Sequence, residues 1–225
     1  MNIVVTREAG KNETLRAWLA PGATVLEVPL TTTTYFDVND VRAALEGSRA
    51  HGMYRTLVVT SERSVDYVEL ALHASTLDVE VYSVGPTTTA ALASRGVTVL
   101  SQGEGSAVTM ARQITRSPVL LLGAASMREE LADALRAKGL EVMMIACYET
   151  LGLSLGSSDA QAVRDADVLL IGAPSAWAVA REYVSDDAWV VVPGSSTAAA
   201  VRADHGRVIE GWGPDLPARL ADLSH

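Results

Sequence analysis

The chain of 225 residues is poor in the side chains that most often announce chemistry. Its single cysteine, Cys147, excludes an intrachain disulfide and any zinc or iron–sulfur site built on several thiolates. The four histidines, His51, His73, His205 and His225, share no i,i+3 or i,i+4 spacing, so a helix-borne metal pair is missing too. Lysine is scarce, with only Lys11 and Lys138. Lys plus Arg number 18 against 27 Asp plus Glu, a net charge of −9 that works against non-specific attraction to a phosphate backbone. Nucleic acid is therefore not an expected partner. The longest apolar runs, Val119-Leu120-Leu121-Leu122 and Trp189-Val190-Val191-Val192, have the length of a buried strand, far from the roughly 20 residues of a membrane span. The first residues lead into Ile3-Val4-Val5 with no basic segment or long apolar leader, so no signal peptide is read and a cytoplasmic location is expected.

Several catalytic templates are also missing. There is no G-x-x-x-x-G-K-[ST], no G-x-S-x-G elbow and no complete G-x-G-x-x-G after a strand, since Gly103-Glu104-Gly105 lacks a third glycine. Nucleotide chemistry is disfavoured. Asp and Glu show no paired spacing at strand ends, which leaves a carboxylate acid–base dyad unsupported. Cys147 falls in an apolar stretch and reads as an inert buried thiol rather than a nucleophile.

What the chain does contain is β-rich runs alternating with amphipathic stretches, the pattern of parallel sheets with helices on both faces. Ten strands are expected: Asn2–Thr6, Thr24–Val28, Arg55–Thr60, Val79–Val84 and Val97–Leu100, then Pro118–Leu122, Leu140–Ala146, Asp167–Gly172, Ala188–Val192 and Arg207–Ile209. The two halves repeat the same signals in the same order. Val84-Gly85-Pro86-Thr87-Thr88-Thr89-Ala90 answers to Val192-Pro193-Gly194-Ser195-Ser196-Thr197-Ala198, and Leu15, Leu19 and Gly22 answer to Leu131, Leu135 and Gly139. The two glycines stand where a helix ends in the left-handed conformation. The chain leaves the pattern at Pro29-Leu30-Thr31-Thr32-Thr33-Thr34-Tyr35 and again at Tyr148-Glu149-Thr150-Leu151-Gly152-Leu153-Ser154, which read as connectors. Two topologies fit. In one the halves are sequential, roughly 1–110 and 117–225; in the other the chain crosses over at each connector, and strands one, two, eight, nine and ten share a sheet.

In open α/β sheets ligands bind outside the carboxyl ends of the strands, and here those positions are rich in hydroxyls. They read Thr6-Arg7, Thr60-Ser61-Glu62-Arg63, Thr87-Thr88, Ser126 with Arg128, Pro174-Ser175 and Ser195-Ser196-Thr197. Ser and Thr are favoured helix caps in any protein, so each residue alone admits that plainer reading. Together, several helix starts with free N–H groups, aided by Arg7 and Arg128, suit carboxylates. Tyr148 lies at the second connector, where a neutral phenol can donate a proton or simply pack its ring.

These residues resemble uroporphyrinogen-III synthase. The resemblance rests on Thr6-Arg7, Val59-Thr60-Ser61 with Arg63, Val84-Gly85-Pro86-Thr87-Thr88, and Arg128-x-x-Leu131-x-x-x-Leu135-x-x-x-Gly139 leading to Cys147-Tyr148-Glu149-Thr150. It continues through Ala173-Pro174-Ser175 and Gly194-Ser195-Ser196-Thr197-Ala198. It implies two similar flavodoxin-like (HemD-like) α/β parallel-sheet domains joined by a two-stranded linker, with the crossed topology. One domain would hold 1–30 plus 154–225 and the other 36–146, with 29–36 and 147–155 as linker strands flanking a hinged cleft. The implied reaction cyclises hydroxymethylbilane, a linear tetrapyrrole with eight carboxylates, to uroporphyrinogen III with inversion of ring D. Its outline is loss of the terminal hydroxyl as water to an azafulvene, attack by ring D through a spiro-pyrrolenine, fragmentation and reclosure. No cofactor or metal is implied, and a monomer is expected. Carried over, Tyr148 matches the tyrosine proposed to assist departure of the hydroxyl. The substrate would be bound by Arg7, Thr60, Ser61, Arg63, Gly85, Thr87, Thr88, Ser126, Arg128, Pro174, Ser175, Gly194, Ser195, Ser196 and Thr197. Ala173 departs from the Ser or Thr common in the family before Pro-Ser, and Ser195-Ser196 from the commoner Pro-Ala or Pro-Thr after the glycine. A non-catalytic, hinged binding module for an anionic small molecule is the alternative architecture-matched reading.

Overall fold

A computed structural model describes residues 1–19, 23–48, 53–103 and 107–222. Gly22, His51, Glu104, Gly105 and His225 lie outside them. The chain divides into two units, Met1–Thr33 with Leu151–His225, and Thr34–Thr150.

In the first unit, β1 (Asn2–Val5), β2 (Thr24–Glu27), β9 (Val168–Leu170), β10 (Trp189–Val192) and β11 (Val208–Glu210) form a parallel sheet in the order β11-β10-β9-β1-β2. The chain thus takes the crossed course. Side chains alternate across a strand, and the two faces have separate cores. Val4, Leu169, Val190 and Val192 pack with Val163, Trp177 and Val201, carried by α7 (Ser157–Arg164), α8 (Pro174–Ala180) and α9 (Ser195–Arg202). Ile3, Val5, Val168, Leu170 and Val191 pack on the other face with Leu15, Leu19, Leu216 and Leu220, from α1 (Glu13–Leu19) and α10 (Leu216–Ala221). This explains why the strands read as continuous apolar runs: both faces are covered.

The second unit repeats the plan. Its sheet runs β3-β8-β7-β4-β5-β6, from β3 (Thr31–Tyr35), β4 (Thr56–Val59), β5 (Glu80–Ser83), β6 (Ser101–Gln102), β7 (Val119–Ala124) and β8 (Val142–Gly152). Leu57, Val59, Leu120 and Leu122 face Val41, Leu45, Val68 and Leu92, on α2 (Val38–Ser48), α3 (Val68–Ala74) and α4 (Pro86–Ala93). Val58, Val119 and Leu121 face Met110, Leu131 and Leu135, on α5 (Ala107–Gln113) and α6 (Glu130–Ala137). Each fully buried aliphatic side chain here contributes about 1.5–3 kcal/mol relative to exposure.

Two expectations are corrected. The strand expected at Val97–Leu100 forms instead at Ser101–Gln102. Val97 donates its N–H back to the Leu92 carbonyl to close α4, so these apolar residues pack as a loop and pairing with β5 begins only at Leu100, whose N–H reaches the Val81 carbonyl. The strand expected to stop at Ala146 runs on without a break to Gly152 as β8, while the linker strand implied within 29–36 is present as β3. Phe36 N–H donates to the Cys147 carbonyl and Leu153 N–H to the Leu30 carbonyl, a falling register that makes β3 and β8 antiparallel. A polar, threonine-rich run gives no apolar signal, and only pairing with β8 defines β3 as a strand. Gly139, with φ of 81°, ends α6 in the left-handed conformation.

Candidate active site

Parallel strands present all their carboxyl ends at one sheet edge, so the residues following β4, β5 and β7 gather by topology alone. At that edge of the second unit lies a cavity of about 680 Å³ lined by Thr60, Val84, Gly103, Ala107, Val108, Met110, Leu121, Ala124, Ser126, Met127, Arg128, Glu130, Leu131 and Tyr148. It brings together four expected residues: Thr60, Ser126, Arg128 and Tyr148. Ser61, Arg63, Gly85, Thr87 and Thr88 are not among its lining residues. Its apolar lining, Val84, Met110, Leu121, Met127 and Leu131, is not among the expected site residues, because in sequence these side chains read as ordinary core.

A β-bulge aims Tyr148. Along β7 and β8 Gly123 pairs with Ala146 but Ala124 pairs with Tyr148, leaving Cys147 as the extra residue. Without the bulge, two consecutive side chains would point to opposite faces; with it, Cys147 and Tyr148 both join the same core cluster. Tyr148 is 5% exposed. The Arg63 guanidinium carbon lies 5.9 Å from its ring centroid, and the Tyr35 ring stands 6.2 Å away, tilted by 47°. Its phenol oxygen makes no hydrogen bond among the described residues, unlike the other buried tyrosines. Tyr54 donates to the Ala71 carbonyl, Tyr67 to the Phe36 carbonyl at 2.6 Å, and Tyr82 is tied to Glu80. Burial, followed by the nearby Cys147 and Asp66, raises the Tyr67 phenol further. Cys147 is fully buried, and that desolvation pushes its thiol up to about 12, with the Ser64 hydroxyl pulling the other way. It stays a neutral thiol.

Gly123 is required by close approach. A Cβ there would run into the Thr60 hydroxyl and lie 2.6 Å from the Met127 sulfur. Thr60 Oγ1 donates to the Leu122 carbonyl at 3.1 Å, which fixes this hydroxyl at the cavity. Arg128 and Glu130 are exposed, and neither has an ion pair or hydrogen-bonded partner among the described residues. Ser61 serves instead as a cap, its hydroxyl accepting from Arg63 N–H at 3.2 Å.

Helix starts recur at the strand ends of both units. Gly85 caps α4 and Gly194 caps α9 in extended conformation, and neither helix has a side-chain cap hydrogen bond. Pro86, Thr87 and Thr88 therefore occupy the same first-turn positions as Ser195, Ser196 and Thr197, with Thr88 and Thr197 both buried. Ala173 caps α8 likewise, placing Pro174 and Ser175 in its first turn. The plainer capping reading thus fails for these hydroxyls: they sit inside the turn, and the first N–H groups lack a side-chain acceptor. Thr89, passed over in the sequence, anchors its turn by bonding Ser83 at 2.5 Å and Gln102 at 2.8 Å. Arg7 stands beside Gly172 at the end of β9, and one of its nitrogens is engaged by the Lys11 carbonyl at 2.8 Å.

Among the described residues no group of three His, Cys, Asp or Glu is placed to hold a metal ion, and no helix is long and apolar enough to cross a membrane. The family model for uroporphyrinogen-III synthase HemD matches residues 13–210. No curated protein sequence matches the chain. Among solved structures, a mutant uroporphyrinogen III synthase from the extremely thermophilic bacterium Thermus thermophilus is similar with a TM-score of 0.69 at 17% identity, over 100% of this chain and 98% of that one. The wild-type protein from the same organism, in another crystal form, gives 0.54 at 17% identity, over 99% and 96%. A uroporphyrinogen-III synthetase from Helicobacter pylori gives 0.64 at 17% identity, over 100% and 99%.

Proposed function

The chain belongs to the uroporphyrinogen-III synthase family, cyclising lyases of tetrapyrrole biosynthesis, and from that premise we propose how its own residues carry the reaction. The reaction closes hydroxymethylbilane to uroporphyrinogen III with inversion of ring D and loss of water. Departure of a hydroxyl group needs a proton, because hydroxide is a poor leaving group. Tyr148 supplies it: Tyr148 lines the cavity with no internal acceptor for its phenol among the described residues, while Arg63 and Tyr35 stand near its ring. That is the observation carrying the assignment.

The eight carboxylates of the substrate call for many donors of modest strength. In the second unit these are Arg128, Thr60 and Ser126 at the cavity, with Ser61, Arg63, Gly85, Thr87 and Thr88 at neighbouring strand ends. In the first they are Arg7 and the starts of α8 and α9, through Pro174, Ser175, Gly194, Ser195, Ser196 and Thr197. First-turn N–H groups suit anions without lysine, which accords with a chain holding two lysines. Stretches 29–36 and 147–155 serve as linkers between two separately folded domains. The protein works as a cytoplasmic monomer, its charge of −9 keeping copies apart; light scattering at assay concentration tests the oligomeric state.

The deciding experiment incubates purified protein with freshly generated hydroxymethylbilane, with no metal or cofactor added, then oxidises and separates the uroporphyrin isomers. Predominantly type III is expected. Type I alone, the product of unassisted closure, from folded protein would overturn the reading.

A further inference from the structure

Among the described residues lining the cavity two carry full charge, Arg128 and Glu130, and they are of opposite sign. Arg128 suits a substrate of eight carboxylates. Glu130 does not, because a carboxylate facing a polyanion weakens binding. The two form no ion pair with one another, and neither has another ionic partner among the described residues. Glu130 opens α6, where an acidic side chain favours the helix start. That role needs no place in the cavity wall, and the adjoining Glu129 could fill it equally.

We propose that Glu130 stabilises the positive charge formed when the substrate ionises, an inference that rests on the synthase reading. In that step the carbon–oxygen bond of the terminal hydroxymethyl group breaks and its electron pair leaves with oxygen. The Tyr148 proton completes water, and the phenol becomes phenolate. The terminal pyrrole is left as an azafulvenium cation, its charge shared between methylene carbon and ring nitrogen. After ring D attacks the methylene, the excess proton on a ring nitrogen returns to the phenolate, so atoms and charge balance. Glu130 takes no proton. It acts through its charge at the wall of the cavity that Tyr148 also lines, where it favours the cation over the neutral pyrrole, an interaction stronger in the transition state than in the ground state. The cavity therefore divides its labour: Arg128 binds carboxylates, and Glu130 favours ionisation over tight binding.

The test measures kcat and KM for type III formation by the whole protein, wild type first. A wild type that makes no type III product defeats the synthase reading itself, and the inference with it. Given an active wild type, Glu130→Gln, which keeps size and removes charge, is expected to lower kcat roughly tenfold while KM stays level or falls. Glu130→Asp, which restores a carboxylate, is expected to recover part of kcat. An unchanged kcat in Glu130→Gln overturns the proposal, whatever happens to KM. Equal losses in Glu130→Gln and Glu130→Asp also overturn it, since the charge would then not be the active property. Thermal melting of each variant separates a rate effect from lost helix stability.

Discussion

The two units share a sheet plan and the same glycine-led helix starts, yet their strand ends are chemically unlike. In the first unit the carboxyl edge offers hydroxyls, first-turn N–H groups and an Arg7 already engaged with the Lys11 carbonyl. In the second, the edge opens into a largely apolar cavity holding a phenol without an acceptor and two charges without partners among the described residues. On the proposed reading, one topology supports two tasks: helix starts and strand-end donors of both units suit carboxylates, and the cavity of the second unit suits the bond-breaking step.

The sharpest way to test that contrast is Tyr148→Phe. Turnover is expected to fall about a hundredfold with melting temperature nearly unchanged, because the lost hydroxyl makes no internal hydrogen bond. Steady-state kinetics beside a thermal melt checks both halves, and an unaltered rate would remove chemistry from the second unit. Gly123→Ala strikes the cavity through its packing. The added methyl collides with Thr60 and Met127, at a cost of about 1–3 kcal/mol, read as roughly 2–10 °C in melting temperature. A neutral outcome would mean the cavity wall yields easily.

Cys147 gives a pH test confined to the second unit. Its thiol is raised from 9.0 to about 12 on folding, so between those values the unfolded chain holds fewer protons than the folded one. Its contribution to stability is intact below about pH 9 and is lost as pH rises toward about 12. Denaturant midpoints at pH 8 and pH 10.5 are expected to differ less in Cys147→Ala than in the parent. The smallest effects are expected where the units agree. Thr88→Ala and Thr197→Ala each remove one first-turn hydroxyl and leave the backbone donors, so KM should rise by about twofold to fivefold, near 1 kcal/mol or less. A complete loss from either, in folded protein, would erase the distinction between shared anion binding and localised chemistry.

Much of this was legible in the chain. Val4, Val58, Leu120 and Val190 sit in apolar runs whose length and spacing mark buried strands, and Gly85 and Gly194 mark the turns after β5 and β10. Tyr148 stood out by its place near a connector. Val84, Met127 and Leu131 are not legible as site residues, since an apolar side chain lining a cavity and one filling a core look the same in sequence. Ser61 and Thr88 looked alike as hydroxyls at strand ends; one proved a cap and the other a buried first-turn residue, a difference set by where each 3-10 or α-helix begins.

The sequence by itself determined the class of fold, the order of its strands and the family, because period-two and helical patterning are local and survive without knowledge of contacts. Residue patterning left two topologies open, and the tertiary structure takes the crossed course, with a strand at Thr31–Tyr35, that the family resemblance implies; it alone decided that Cys147 is the extra residue preceding Tyr148. Those outcomes depend on pairings between segments distant in the chain, and a pairing of that kind leaves its energy in the partner rather than in the segment.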